Sequence, residues 1–207
     1  MKRKRPLAFT LIELLVVISI IGILAALALP AITGALARGQ MTQTLSNCKQ
    51  LHLATQQMAL DATTTGDTNI GWPGDLAGGT NSSTAWAPWA TNLVDGGYLT
   101  TNDFRKLISG PGVVPTSDNP ASPGKSAVIL YSVVENSDGS TVFLSSANFT
   151  NSISGGVRPA ANAVPYGDKG FVVFRKAGDG AILQARQTGS SYTNIIGAYA
   201  GGFSVAP

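Results

Sequence analysis

The chain has 207 residues, 12% of them charged, with 24 glycines and a formal charge of +3. That length suits one ordinary domain with an appendage and is too short for two full domains to be expected. Four of the fourteen basic residues are Lys2, Arg3, Lys4 and Arg5; without them ten bases face eleven acids, so the basic balance belongs to the N-terminus. Nucleic-acid binding by the folded part is therefore not expected. A single cysteine, Cys48, excludes an intrachain disulfide.

From Leu14 to Ala37 the sequence carries no charge over 24 residues. At about 1.5 Å per residue such a helix crosses a hydrocarbon core of roughly 30 Å. The basic cluster at residues 2–5, against a lone Arg38 on the other flank, places the N-terminus in the cytoplasm and the bulk of the chain outside it. Two ordinary readings compete here. A secretory signal peptide fits the Ala35-Leu36-Ala37 pattern, but the apolar run is longer than such peptides need. A plain anchor fits the length. Neither accounts for Glu13, because an acid near the middle of a membrane helix costs about 2.5–3.5 kcal/mol, and less toward its end.

Cleavage between Ala8 and Phe9 accounts for it. The basic leader is lost, and the new α-amino group of Phe9 lies one helical turn before Glu13. In a bundle of identical helices, that ammonium on one subunit neutralises the Glu13 carboxylate of the next. The stretch Phe9-Thr10-Leu11-Ile12-Glu13, with the apolar helix behind it, resembles the N-terminus of the type IV pilin and type II secretion pseudopilin superfamily. The resemblance covers about residues 5–37. It implies a prepilin peptidase that cuts before Phe9 and methylates its amine, and an assembly role for Phe9, Thr10 and Glu13. It also implies a helix-loosening role for Pro30. Ala8 departs from the glycine usual before the cut in this family, although both residues are small.

Beyond Arg38 the same helix continues as an amphipathic one to about Ala62, with Met41, Leu45, Cys48, Leu51, Thr55 and Met58 at three- to four-residue steps. Cys48 and His52, the only histidine, are expected to pack on or beside this face. Thr63-Thr64-Thr65-Gly66 ends the helix. Residues 67–103 read as loop-rich, with a short helix around Asn92–Asp95, a turn at Gly96-Gly97, and another helix capped near Asn102. Trp72, Trp86 and Trp89 are expected to clamp this region onto the core; an exposed binding patch is the competing reading. Val94-x-x-Gly97-Tyr98-Leu99 is similar to a stretch of major pseudopilins. Pro111 to Gly124 reads as a linker. Two hairpins follow: AVILYSVV and STVFLSS around ENSDG, then GFVVFRKA and AILQAR around GDG. The C-terminal tail adds a short edge strand.

The expected fold is α+β and pilin-like: a long N-terminal helix, hydrophobic then amphipathic, packed on a small antiparallel sheet. The expected boundaries are a leader at 1–8, a membrane or filament-core helix at 9–37, its amphipathic half at 38–62, and a globular domain at 63–207 with loops to 124 and sheet from 125. No nucleophile elbow, phosphate loop or zinc cluster is present, so no catalytic residue and no cofactor are expected. Asp67, Asp75, Asp168 and Asp179 lack the alternating-oxygen spacing of a calcium loop and are expected to serve turns. The leading function is a structural subunit of a pilus-like filament, with a secretion pseudopilus favoured over a surface pilus. Its implied partners are copies of itself, minor pseudopilins or pilins, the prepilin peptidase and an inner-membrane platform. Its implied place is the bacterial inner membrane before assembly, with the C-terminal domain periplasmic. The competing class is a secreted or anchored binding module using the tryptophan-bearing loops.

Overall fold

The computed structural model describes residues 10–78, 85–148 and 164–184, together with the backbone of Phe203 and Ser204. The chain divides into two compact units, residues 1–39 and 40–207. Helix α1, Leu11–Thr65, is 55 residues long and contributes to both.

In the first unit α1 is helical throughout, including at Pro30. Proline has no N–H for the carbonyl of Ala26, yet the helix does not break there. The Thr33 hydroxyl donates to the Pro30 carbonyl at 3.0 Å.

In the second unit α1 buries Met41, Thr44, Cys48, Leu51, Thr55 and Met58, the face that the three- to four-residue steps define. It ends where the sequence stops favouring it, three residues later than expected. The hydroxyls of Thr63, Thr64 and Thr65 turn back onto the carbonyls of Leu60 and Asp61 at 2.7–3.0 Å. Gly66 then takes φ +71°, and its N–H bonds the Ala62 carbonyl at 2.9 Å.

The region read as loop-rich carries three short helices: α2, Pro73–Leu76; α3, Trp86–Asp95; and α4, Thr101–Leu107. The short helix expected around Asn92 is the last part of α3, whose start lies six residues upstream at Trp86. The cap of α4 is Thr100, not Asn102: its hydroxyl accepts the Asp103 N–H at 3.1 Å. The Pro111–Gly124 stretch is tied down. The Thr116 and Ser117 N–H groups donate to the Pro123 carbonyl at 2.9 and 3.2 Å. Arg105 reaches both Asp118 and the Pro115 carbonyl.

The sheet is a meander of β1 (Val128–Tyr131), β2 (Val142–Ser146), β3 (Gly170–Arg175) and β4 (Gly180–Gln184), all antiparallel. The short tail strand β5, Phe203–Ser204, pairs antiparallel with β1, giving the order β4-β3-β2-β1-β5. The first hairpin is looser than read from sequence, because β1 stops at Tyr131 rather than running to Val134. The Val133 carbonyl is taken by the Gly74 N–H at 2.8 Å, and the Val134 N–H bonds the Ser137 hydroxyl at 3.0 Å. Both groups are thereby withdrawn from the β1–β2 ladder. One core joins α1, the short helices and the sheet, with Leu51, Met58, Trp89, Leu93, Phe104, Phe143 and Phe171 buried. The architecture is the α+β one expected, with the amphipathic half of α1 packed on a small antiparallel sheet.

Candidate assembly site

The N-terminal segment is the part of the molecule built for something other than its own core. Leu11 to Leu36 expose fifteen large apolar side chains, from 48% at Val16 and Val17 to 82% at Leu11. Among the described residues, α1 is the one helix long and apolar enough to cross a membrane. A monomer in water does not leave such a surface bare.

At its head, Thr10 precedes the first helical residue and Glu13 follows three later. The Thr10 N–H donates to Glu13 Oε2 at 2.9 Å, and the Thr10 hydroxyl donates to the same oxygen at 2.6 Å. The Glu13 N–H donates back to the Thr10 hydroxyl at 3.3 Å. This is a reciprocal capping box, in which an N-cap hydroxyl and a glutamate in the first turn satisfy each other's backbone donors. The carboxylate also sits at the positive end of the helix dipole. Thr10 and Glu13 are therefore brought together as a unit. The Thr-x-x-Glu spacing before an apolar run was visible in the sequence; the reading of Glu13 solely as a partner for an amine passed over it. Ala8 and Phe9, the two sides of the expected cleavage, lie outside the described residues. Pro30 lies within the exposed apolar stretch, 17 residues after Glu13.

The side chains that invite a catalytic or ligand-binding reading are absorbed by the core. His52 is buried among Trp72, Phe143 and Phe174, with ring centroids 5.3–5.8 Å away. Its Nε2 lies 2.7 Å from the Lys176 carbonyl. Burial lowers its pKa, and the Lys176 carbonyl opposes this by favouring the protonated ring. Cys48 precedes His52 by one helical turn, an i,i+4 pair, but its thiol is fully buried and burial pushes its pKa up to about 12. Among the described residues no group of three His, Cys, Asp or Glu side chains converges on a metal position. The aspartates serve turns, as at Asp67, whose Oδ1 accepts both the backbone and side-chain N–H of Asn69 at 2.9 Å.

The tryptophans act as clamps. Trp86 Nε1–H donates to the Pro120 carbonyl and Trp89 Nε1–H to the Thr55 hydroxyl, each at 3.0 Å. Trp72 is buried with the Lys176 ammonium 5.2 Å from its ring centroid. The exposed indole patch of the competing reading is therefore not formed. Beside Trp72 an open hollow of about 340 Å³ is bordered by Ile70, Asp75 and Glu135. There the Glu135 N–H donates to Asp75 Oδ2 at 2.9 Å, and burial raises the Asp75 pKa.

Residues 3–29 match the family model of the prokaryotic N-terminal methylation motif. The chain is 41% identical over 83 residues to a type IV major fimbrial protein FimA of Dichelobacter nodosus, covering 37% of this chain and 53% of that protein. Another FimA of the same organism is 39% identical over 93 residues, covering 42% and 58%. A probable minor fimbrial protein of that organism is 44% identical over 62 residues, covering 30% and 39%. The chain spans about half the length of the curated major fimbrial relatives it matches, and no solved structure matches it. An exposed apolar helix headed by a Thr-Glu capping box, the methylation motif over that same segment and fimbrial relatives converge in support of membership in the type IV pilin superfamily.

Proposed function

We infer that this chain is a structural subunit of a pilus-like filament, assembled through its N-terminal helix. The observation that carries this reading is the uncovered apolar surface of residues 11–36, headed by the capped Glu13. In the membrane, lipid covers that surface; in a filament, other copies of the same helix do. The capping box gives Glu13 a partner while the helix stands alone, which lowers the cost of carrying a carboxylate into the bilayer boundary. After removal of residues 1–8, the Phe9 ammonium of a neighbouring copy offers that carboxylate a charged partner, and this favours bundling over solitary insertion. Prepilin peptidase, an inner-membrane assembly platform and minor subunits are the partners this route requires. The globular domain lies on the periplasmic side before assembly.

The fimbrial relatives favour a surface type IV pilus at least as much as a secretion pseudopilus. The pseudopilus reading rests on the Val94-x-x-Gly97-Tyr98-Leu99 stretch and on the single cysteine. Intact mass of the membrane-extracted chain tests the shared core of both. It should lack residues 1–8 and carry one added methyl group. Retention of those residues, or a new terminus at Arg38, overturns the reading. Shearing intact cells then separates the two branches: a surface pilus releases the chain, and a periplasmic pseudopilus does not.

A further inference from the structure

The hollow beside Trp72 has no part in filament assembly as inferred above. Its bed is apolar, made by Ala59 and Ala62 from the last turns of α1 together with Ile70 and Trp72, and its rim carries the carboxylates of Asp75 and Glu135. A second hollow of about 200 Å³ shares Ala59, Trp72 and Glu135 with it and extends it to Leu60. The two make one extended groove, acidic at the rim and apolar beneath. The chain does not neutralise that rim. Among the described residues the ion pairs join Arg105 to Asp118, Lys106 to Asp103 and Arg175 to Asp179, and neither Asp75 nor Glu135 takes part. The Lys176 ammonium comes near but is engaged by backbone: it donates to the Glu135 and Ser137 carbonyls and stands over the Trp72 ring. Burial raises the Asp75 pKa, the Glu135 N–H bond lowers it, and the like charge of Glu135 raises it again, ahead of the opposing charge of Lys176. The helix itself adds to the demand for a cation, because α1 ends at this groove with no basic residue in its last turn to balance the negative end of its dipole.

We propose that this groove is a binding site for a small primary alkylamine in its protonated form, the ammonium held at Asp75 and Glu135 and the hydrocarbon chain lying over Ala59 toward Leu60. An ammonium offers three N–H donors to carboxylates that accept only, and such charge-assisted bonds are the strong ones. A quaternary ammonium offers none. The apolar bed calls for a hydrocarbon chain, whose removal from water adds to the affinity. It also argues against a metal ion, which takes a full shell of oxygens, and among the described residues no three metal-ligating side chains converge. The volume of about 340 Å³ lies at the small end of ligand sites, which limits the chain to a short one. The groove belongs to the folded domain, and its occupancy does not require a filament.

Titration of the full-length chain with n-pentylamine at neutral pH, in an uncharged detergent, tests this. The indole N–H resonances of the three tryptophans report the location, with Trp72→Phe identifying the signal of Trp72. That signal should shift saturably while those of Trp86 and Trp89 stay in place. n-Pentanol and pentanoate keep the chain but lose the positive charge, and should give no saturable shift. Asp75→Asn keeps an acceptor for the Glu135 N–H, and Glu135→Gln alters a side chain that stands in solvent; both variants should stay folded. Each should weaken n-pentylamine binding by roughly ten- to hundredfold, the loss of one charge-assisted bond. No saturable shift, an equal response to n-pentanol, or undiminished binding in both variants overturns the proposal. So does calcium moving the same signal at a lower concentration than the amine. Nα-acetyl-lysinamide separates a free amine from a lysine side chain of another protein. Binding equal to or weaker than that of n-pentylamine supports the free amine, and binding tighter by about tenfold or more overturns it.

Discussion

Replacing Thr55 by Val tests how α1 holds α3. Trp89 is fully buried, and its Nε1–H donates to the Thr55 hydroxyl at 3.0 Å; that hydroxyl in turn donates to the Leu51 carbonyl at 2.8 Å. Valine keeps the volume and the β-branching, so the substitution opens no cavity and changes helix propensity little. Leu51's carbonyl keeps its ordinary i+4 helical bond. What is lost is the acceptor for a buried indole N–H, which costs about 1–3 kcal/mol. The added methyl group offsets up to about 0.8 kcal/mol of this. The expected loss is about 1–2 kcal/mol, read by urea unfolding of the full-length chain in detergent with tryptophan fluorescence. All three indoles report on the domain. In a Trp89→Phe background the donor is already gone, and Thr55→Val should be nearly neutral, giving a coupling of about 1–2 kcal/mol. A loss below about 0.5 kcal/mol in the wild-type background, or the same loss in both, refutes the reasoning.

Gly74→Ala should destabilise the domain by about 1–3 kcal/mol, because a Cβ there would stand 2.6 Å from Val134 Cγ1 and 2.7 Å from the Ser132 carbonyl oxygen; a Tm equal to wild type excludes that crowding. His52 is held below its ordinary 6.5 by burial, so the unfolded chain binds its proton first as pH falls. Stability should drop from pH 6.5 downward and level once the folded ring protonates; urea midpoints measured against pH should lose that slope in His52→Gln, and an unchanged slope refutes it. Glu13→Gln keeps hydrogen-bonding capacity at the head of α1 but removes the charge, so membrane insertion should persist while filament yield collapses. Normal yield, measured by sedimentation, rejects a charge-based role for Glu13.

The elements with one dominant local cause were legible in the sequence. The three- to four-residue steps of Met41, Cys48, Leu51 and Met58 mark the buried side of α1, and the Asp-Gly turns mark both hairpins. Legibility failed where a distant group decided. β1 ends at Tyr131 because Gly74, more than fifty residues earlier, takes the Val133 carbonyl; no pattern within AVILYSVV records that. The helices of the Trp-bearing region were read largely as loop for a related reason. α2 has four residues and α3 ten, lengths at which an isolated helix is marginal and packing, here of Trp86, Trp89 and Leu93, supplies the stability. The Pro111–Gly124 stretch looks like a linker by composition. It is ordered by Arg105 and by the Trp86 bond to the Pro120 carbonyl, contacts that composition does not encode.

The same division explains Glu13. An acid in an apolar helix reads as a defect awaiting a distant remedy, and the remedy proposed above is the amine of Phe9 on another copy. The local one lies three residues away in Thr10, which gives the carboxylate two hydrogen bonds before any neighbour arrives. On the proposed filament reading, the two remedies act at different stages and impose opposite demands. Too strong a cap would hold Glu13 content in the solitary membrane helix and weaken its pull toward another copy. No cap would leave a bare carboxylate to oppose insertion. Threonine at the cap meets both demands. Its hydroxyl and backbone N–H carry no charge, so a neighbour's ammonium still adds a Coulombic attraction the cap does not supply. Replacing Thr10 with Val should therefore hurt insertion while leaving the charge pair available, and Glu13→Gln should do the reverse. Measuring membrane-integrated and sedimenting fractions separately for the two variants distinguishes them. Equal losses in both fractions for both variants would mean that capping and pairing are not separate functions of this carboxylate.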